Sequence, residues 1–209
     1  MKPLLILGTE DHAQVVIDLC RSLHLEIKGV VSLSRQESAS EIAGVPVLGD
    51  DRVLKENPVN EVNLVSGIGS VKVGKKREVL FSRYKKEGYE FCTLVHPMAS
   101  VAQTAVLGEG AVVMAGAVVQ AGATIGANAI LNTSSSVDHH CRIGDHVHIA
   151  PGSVISGRVQ IGRGTFVGAG ACVIQGVEIG QGCQVAAGAV VVAPVFDGSR
   201  VLGVPAGEH

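Results

Sequence analysis

An aliphatic residue recurs at every sixth position from Val95 to Val191 without a break in phase. Neither an α-helix, with a period of about 3.6 residues, nor an ordinary β-strand, with a period of about two, produces this spacing. A parallel β-helix does, because each short strand points one aliphatic side chain inward before the chain turns a corner. The positions are Val95, Val101, Leu107, Val113, Val119, Ile125, Leu131, Val137, Ile143, Ile149, Ile155, Ile161, Val167, Val173, Ile179, Val185 and Val191.

The hexads also set the size of the coil. Three hexads make one coil, so residues eighteen apart should stack at about 4.8 Å, the usual distance between paired strands. Residues 101–190 hold fifteen hexads, which is five coils, with no long insertion. The tail at 202–206 is expected to close the stack and cap its open edge.

The chain before residue 95 follows a different pattern. Apolar runs of strand length at 4–7, 27–31, 62–65 and 91–95 alternate with helical spacing at 11–23, 50–55 and 73–88. This alternation predicts a small Rossmann-like α/β domain with a parallel sheet. We therefore expect an α/β domain of residues 1–94 followed by an all-β solenoid of residues 95–209.

Two loops of the first domain carry candidate binding residues. Residues 8–12 join the first strand to the first helix, where helix-terminal N–H groups can hold a phosphate or carboxylate. The loop is not a GxGxxG motif, so a dinucleotide site is only weakly indicated. Residues 67–70 after a later strand either line a ligand pocket or form a plain turn. The basic run 72–77 is most simply a solvated helix face, with phosphate contact as the alternative.

Composition excludes several classes of function. A formal net charge of −2 gives no basic footprint for nucleic acid. No apolar run reaches the roughly 18 residues that would span a membrane, and the N-terminal apolar segment is too short for a signal peptide. We therefore expect a cytoplasmic protein. The cysteines lack metal-site or disulfide spacing: Cys20, Cys92, Cys141, Cys172 and Cys183.

Several stretches are more specific than the period. The sequences at 95–97 (VHP), 131–139 (LNTSSSVDH), 149–152 (IAPG) and 203–206 (GVPA) resemble the bacterial sugar acyltransferases of the hexapeptide-repeat class. Within that class the chain resembles the sialic acid O-acetyltransferases and the UDP-4-amino-sugar N-acetyltransferases of bacillosamine-type pathways. The resemblance implies a homotrimer of left-handed β-helices that uses acetyl-CoA, with active sites between subunits.

The resemblance also implies roles for individual residues. His139 matches the catalytic histidine that deprotonates the acceptor, a role that suits a side chain titrating near neutrality. The residues matched to acetyl-CoA binding are His148, Gly157, Ala169, Ala187 and Gly188. It implies that residues 1–94 bind the acceptor sugar and that residues 95–209 bind acetyl-CoA and carry out catalysis. The residues expected near the acceptor are Gly8, His12, Gly69 and Asn132.

The chain departs from the family pattern beside the candidate base. Family members usually carry an acidic residue directly after the catalytic histidine, where this chain has His140. The carboxylate that would fix the imidazole tautomer must come from Asp138, from elsewhere, or not at all. Acidic residues at the end of the second strand are also replaced, here by Ser32, Ser34 and Arg35. These departures leave the acceptor more open than the reaction.

The sequence thus predicts acetyl transfer from acetyl-CoA to an amine or hydroxyl of a nucleotide-linked amino sugar, without a metal. A sialic-acid-type O-acetyltransferase is the alternative within the family. A zinc enzyme of the γ-carbonic-anhydrase type shares the β-helix, but needs three converging ligands, and the histidines here lack that spacing. A non-catalytic sugar-binding scaffold is the remaining alternative.

Overall fold

The computed structural model describes residues 2–33, 40–70 and 73–208. The chain divides into two compact units. The first comprises Met1–Gly69 and Val79–Leu94, and the second Ser70–Glu78 and Val95–His209. The segment Ser70–Glu78, which the sequence assigned to the first domain, therefore groups with the solenoid.

The first unit is built on a five-stranded sheet in the order β3-β4-β2-β1-β5, parallel except where β3 pairs antiparallel with β4. Two helices and a short 3-10 helix at Asp51–Glu56 connect or follow the strands. The elements are β1 (Leu4–Leu7), α1 (Asp11–Ser22), β2 (Ile27–Val31), β3 (Glu41–Ile42), β4 (Val45–Gly49), β5 (Asn63–Ser66) and α2 (Lys76–Lys86), of which Lys76–Glu78 belong to the second unit.

The sequence of β1 is an unbroken apolar run because the strand is buried. All four residues of β1 are buried, as expected for a central parallel strand. Helix α1 packs with one apolar face, which includes Val16, Ile17 and Cys20. The β3–β4 hairpin was not predicted. Its two-residue turn places Ala43 and Gly44 at positive φ, the conformation that tight hairpins require.

The second unit is a solenoid with three sheets. The first sheet contains Ser100–Val101, Val118–Val119, Ser136–Val137, Val154–Ile155, Cys172–Val173 and Val190–Val191. The second sheet contains Val106–Leu107, Thr124–Ile125, Arg142–Ile143, Gln160–Ile161 and Glu178–Ile179. The third sheet contains Leu94–Val95, Val112–Val113, Ile130–Leu131, His148–Ile149, Phe166–Val167, Gln184–Val185, Arg200–Leu202 and Gly207–Glu208.

Strand pairing confirms the eighteen-residue coil. Val119 pairs in parallel with Val137, and Ile125 with Ile143, each eighteen residues on. The hexad aliphatics from Val113 to Val191 are at most 3% exposed and form one continuous core. The first three, at 95, 101 and 107, are only partly buried because no complete coil covers that end.

Each coil turns three corners: corner 1 between the first and second sheets, corner 2 between the second and third, and corner 3 between the third and the first. Most corners place a glycine in the left-handed region, but His140 (φ 58°) and His146 (φ 59°) hold that position at two of them. At corner 2 the coils approach so closely that a Cβ on Gly126 would stand 2.4 Å from the Asp145 nitrogen. Among the residues described, no helix is long and apolar enough to cross a membrane.

Candidate active site

Two adjacent histidines form the polar cluster at corner 1. Nδ1 of His139 lies 3.1 Å from Nδ1 of His140, and the two rings meet edge to face at 79°. His139 is half-buried and His140 is exposed. No described residue contacts Nε2 of His139 with a hydrogen bond, so this nitrogen is the one available to a ligand.

The carboxylate of Asp138 is hydrogen-bonded to the main chain at this corner. Its Oδ1 accepts the backbone N–H of His139 at 2.7 Å, which fixes the turn that carries the imidazole. Within the described part of the chain, the ring nitrogen of His139 has His140 as its partner and not this carboxylate. Of the two neighbours that the sequence singled out, His140 is therefore the one that meets the imidazole.

Gly157 stands at the same corner one coil further on. A Cβ at this position would lie 2.6 Å from both Cε1 and Nε2 of His139, so only glycine leaves room for the ring. The N–H of Gly157 donates to no other described residue. It is thus free to donate to a ligand beside His139, the role the family resemblance implies.

A second set of candidates lies at corner 3 and on the third sheet. The amide of Asn132 and Nε2 of His148 are 3.3 Å apart, and the His148 ring meets Phe166 edge to face, with centroids 5.3 Å apart. His148 is only 4% exposed. These residues border a cleft of about 490 Å³, which is lined by Ser70, Asn132, His148, Ala150, Pro151, Phe166, Gly168, Ala169, Gln184, Val185, Ala186, Ala187 and Arg200.

Small residues make this cleft open. Ala169 and Ala187 line it, and Gly188 follows directly at the same corner with nothing within 4 Å of the place where a Cβ would stand. A narrow, flexible ligand arm can therefore run over the backbone here without meeting large side chains.

The structure thus sorts the predicted solenoid residues onto two separate edges. His139, His140, Asp138 and Gly157 meet at corner 1, whereas Asn132, His148, Ala169, Ala187 and Gly188 lie around corner 3. The two corners are separated by the width of the first sheet. One copy of the solenoid does not bring the two sets together.

Three predicted acceptor residues come together in the first unit. Gly8 follows β1 and Gly69 lies shortly after β5, and these two strands are adjacent and parallel. A Cβ on Gly69 would stand 3.0 Å from Cβ of His12, so the histidine at the start of α1 packs against this glycine. Ser32 is buried after β2. Ser34 and Arg35 lie outside the described residues.

A buried cation was not predicted. Arg77 is 5% exposed, and its guanidinium donates to the backbone carbonyls of Asn128 and His146. Burial lowers its pKa to about 10. The interpretation of residues 72–77 as a solvated face is wrong for Arg77, and Lys72 lies outside the described residues. Nothing in a short basic run marks which member is buried.

His146 belongs to the same buried group. The Asn128 amide lies 2.8 Å from its Nδ1. Burial, reinforced by the nearby Arg163 and Arg77 charges, lowers the pKa of His146 to about 4. The side chain therefore stays neutral at physiological pH and has a structural role at corner 2.

Among residues 2–33, 40–70 and 73–208, no group of three histidine, cysteine, aspartate or glutamate side chains is arranged to hold a metal ion. His140 and His146 lie at different corners of one coil.

A hexapeptide solenoid with an accessible histidine at one corner and a cleft lined by small residues at another defines a hexapeptide-repeat acyltransferase. Sequence profiles agree: residues 122–157 match the bacterial transferase hexapeptide (six repeats), 158–193 the hexapeptide repeat of succinyl-transferase, and 3–81 the PglD N-terminal domain. None of the curated protein sequences matches the chain.

Solved structures are similar over the full length. The acetyltransferase domain of PglB from Neisseria gonorrhoeae FA1090 is 33% identical with a TM-score of 0.92, covering 100% of both chains. PerB from Caulobacter crescentus, solved with CoA and GDP-perosamine, is 36% identical with a TM-score of 0.92, covering 100% of this chain and 98% of its own. WeeI from Acinetobacter baumannii AYE is 25% identical with a TM-score of 0.90 over 100% of both chains.

The chain therefore belongs to the family of hexapeptide-repeat sugar acetyltransferases that carry a PglD-type N-terminal domain. The predicted fold class, a Rossmann-like α/β domain followed by a left-handed parallel β-helix, is confirmed.

Proposed function

We propose that this protein transfers the acetyl group of acetyl-CoA to the amino group of a nucleotide-linked amino sugar, with His139 as the general base. One observation carries the assignment of the base: among the described residues, neither Nε2 of His139 nor the N–H of Gly157, which lies against it, has a hydrogen-bond partner. The relatives support the substrates, because the PglB domain was solved with acetyl coenzyme A and PerB with CoA and GDP-perosamine.

The chemistry follows from this pair of groups. Nε2 of His139 takes a proton from the amine as its nitrogen attacks the thioester carbonyl carbon. The Gly157 N–H donates to the oxyanion of the tetrahedral intermediate, where charge develops. The intermediate collapses, the carbon–sulfur bond breaks, and the imidazolium returns its proton to the departing CoA thiolate. The products are the N-acetyl sugar and CoA.

We assign the coenzyme arm to the corner 3 cleft. The backbone at Ala169, Ala187 and Gly188 offers a path free of bulky side chains, and His148 stands at its wall beside Asn132. Since Gly157 and His139 lie at corner 1, the thioester must reach the corner 1 cluster of another copy of the chain.

A homotrimer is the assembly that we propose to bring the two edges together. The first sheet supports it, because its outward side chains carry no charge and include Val154, which is 45% exposed: they are Ser100, Val118, Ser136, Val154, Cys172 and Val190. The outward side chains of the second sheet include Arg142, Gln160 and Glu178 instead. Depletion of charged side chains is the compositional mark of the core of an association surface.

Acceptor recognition is assigned to the first unit. Gly8, His12 and Gly69 gather at the carboxyl ends of two adjacent parallel strands, the edge at which open α/β sheets bind ligands. The N-terminal end of α1 follows directly and suits a pyrophosphate. We also propose a cytoplasmic location, because all five cysteines are free thiols, as in a reducing compartment.

Mass spectrometry of candidate acceptors incubated with acetyl-CoA tests the function. The panel holds UDP- and GDP-linked 4-amino sugars, GDP-perosamine among them, other nucleotide amino sugars and free sialic acid. A gain of one acetyl group on a nucleotide-linked amino sugar is the expected result. A gain on sialic acid alone would replace the proposal with O-acetylation. Coenzyme binding without transfer to any acceptor would favour a non-catalytic scaffold.

A further inference from the structure

Resting on the proposed role of His139, we propose that His140 is a positioning residue that accepts the Nδ1–H of His139 and so leaves Nε2 as the unprotonated, basic nitrogen. The two Nδ1 atoms are 3.1 Å apart, within hydrogen-bond range, and one of them must donate to the other. If His139 donates, its Nε2 carries a lone pair directed at the ligand space beside Gly157.

The backbone holds His140 for this contact. The residue occupies the left-handed turn position with φ 58°, and its N–H donates to the Ala121 carbonyl at 3.0 Å. Its ring lies against Gly122 of the preceding coil, where a Cβ would stand 3.0 Å from Cδ2. The same position is glycine at most corners, so the backbone geometry alone does not call for histidine. The side chain that this residue adds is the partner of His139.

In the part of the chain that the structure describes, no carboxylate is hydrogen-bonded to either ring of the pair. Asp138 is engaged with the His139 backbone N–H. The Cys141 thiol donates to the Ser156 carbonyl, and burial raises its pKa, so it is neutral. Arg158 occupies the turn position of His140 one coil on, and its N–H donates to the His139 carbonyl. A neutral imidazole is therefore the acceptor that the structure offers.

Two variants separate this role from a structural one. His140→Gly keeps the left-handed turn without strain and removes the acceptor. His140→Asn also tolerates the left-handed conformation and retains a side-chain oxygen that can accept the Nδ1–H. We expect kcat to fall about ten- to a hundredfold in His140→Gly with little change in either KM, and to recover most of that loss in His140→Asn.

Long-range proton–nitrogen NMR of histidine-labelled protein tests the tautomer directly, with His139→Asn used to assign the signals. The expected result is the Nδ1–H form of His139 in the native protein and in His140→Asn, changing to the Nε2–H form in His140→Gly. An Nε2–H form in the native protein, or a kcat that is unchanged in His140→Gly, would overturn the inference. Because the tautomer is read without turnover, a failure of the proposed acetyl transfer is distinguishable from a failure of this inference.

Discussion

The imidazole of His139 fills the space that a side chain at Gly157 would need, since a Cβ there would lie 2.6 Å from Nε2. Gly157 has an ordinary φ, so alanine would be excluded by the ring and not by backbone strain. We therefore expect Gly157→Ala to displace the imidazole and to lower kcat about tenfold to a hundredfold, as small misplacements of a catalytic group do. Gly207→Ala, in open space, is the matched control. Steady-state kinetics with wild-type turnover in both variants would contradict this arrangement.

Removing the base should have a larger effect on turnover than on binding. We expect His139→Ala to lower kcat by about 10² to 10⁴ and to leave the Kd for acetyl-CoA largely unchanged. The control is His24→Asn, which replaces an exposed histidine of the first unit. Asparagine is chosen because His24 has a positive φ, which asparagine tolerates. Turnover measured together with calorimetric coenzyme binding checks both parts. Near-native turnover in His139→Ala would exclude it as the base.

Arg77 gives a prediction about stability. Arg77→Met removes the guanidinium donors to the carbonyls of Asn128 and His146, two buried residues. The expected loss is about 2–4 kcal/mol in the free energy of unfolding. Arg83→Met breaks the exposed ion pairs with Asp51 and Glu87 and should cost less than about 1 kcal/mol. Denaturant titrations compare the two, and equal losses would contradict the buried role of Arg77.

His146 predicts a pH dependence of stability. Its folded pKa of about 4 lies below the ordinary value of 6.5, so between these values the unfolded state binds a proton that the folded state does not. Its contribution is fully present above about pH 6.5 and is lost as pH falls toward 4, by at most about 3 kcal/mol. His146→Asn should flatten that part of the curve of unfolding free energy against pH. An unchanged curve would show that His146 titrates alike in both states.

The uncharged outward face of the first sheet predicts how assembly can be broken. Val154→Asp places a charge on the surface that we assign to association and should shift the protein toward monomers. Val106→Asp changes an outward valine of the second sheet that is 60% exposed, and should leave the assembly intact. Sedimentation velocity measures both. Turnover should fall with the trimer in Val154→Asp, because each site needs residues from two copies; an active monomer would refute the shared site.

The period of six was enough to predict the solenoid, because every sixth side chain must enter a core only one strand wide. The position of a histidine along the coil also determines whether it lies at corner 1, at corner 2 or on the third sheet. Residue type alone could not show which of the four histidines at 139, 140, 146 and 148 is buried with a structural role. His146 is buried beneath Arg77, which comes from the distant segment Ser70–Glu78. The β3–β4 hairpin was missed because strands of two and five residues carry little periodicity.

The stacking of coils affects how the sequence of such an enzyme can change during evolution. Corner side chains contact neighbouring coils, as His140 contacts Gly122 of the preceding coil and His139 contacts Gly157 of the following one, while the aliphatic core runs through all coils. Because each coil contacts only its neighbours, the effect of a substitution is confined to a few residues along one edge. A reactive edge can therefore exchange one hydrogen-bonding partner for another over evolutionary time while the interior stays as it was.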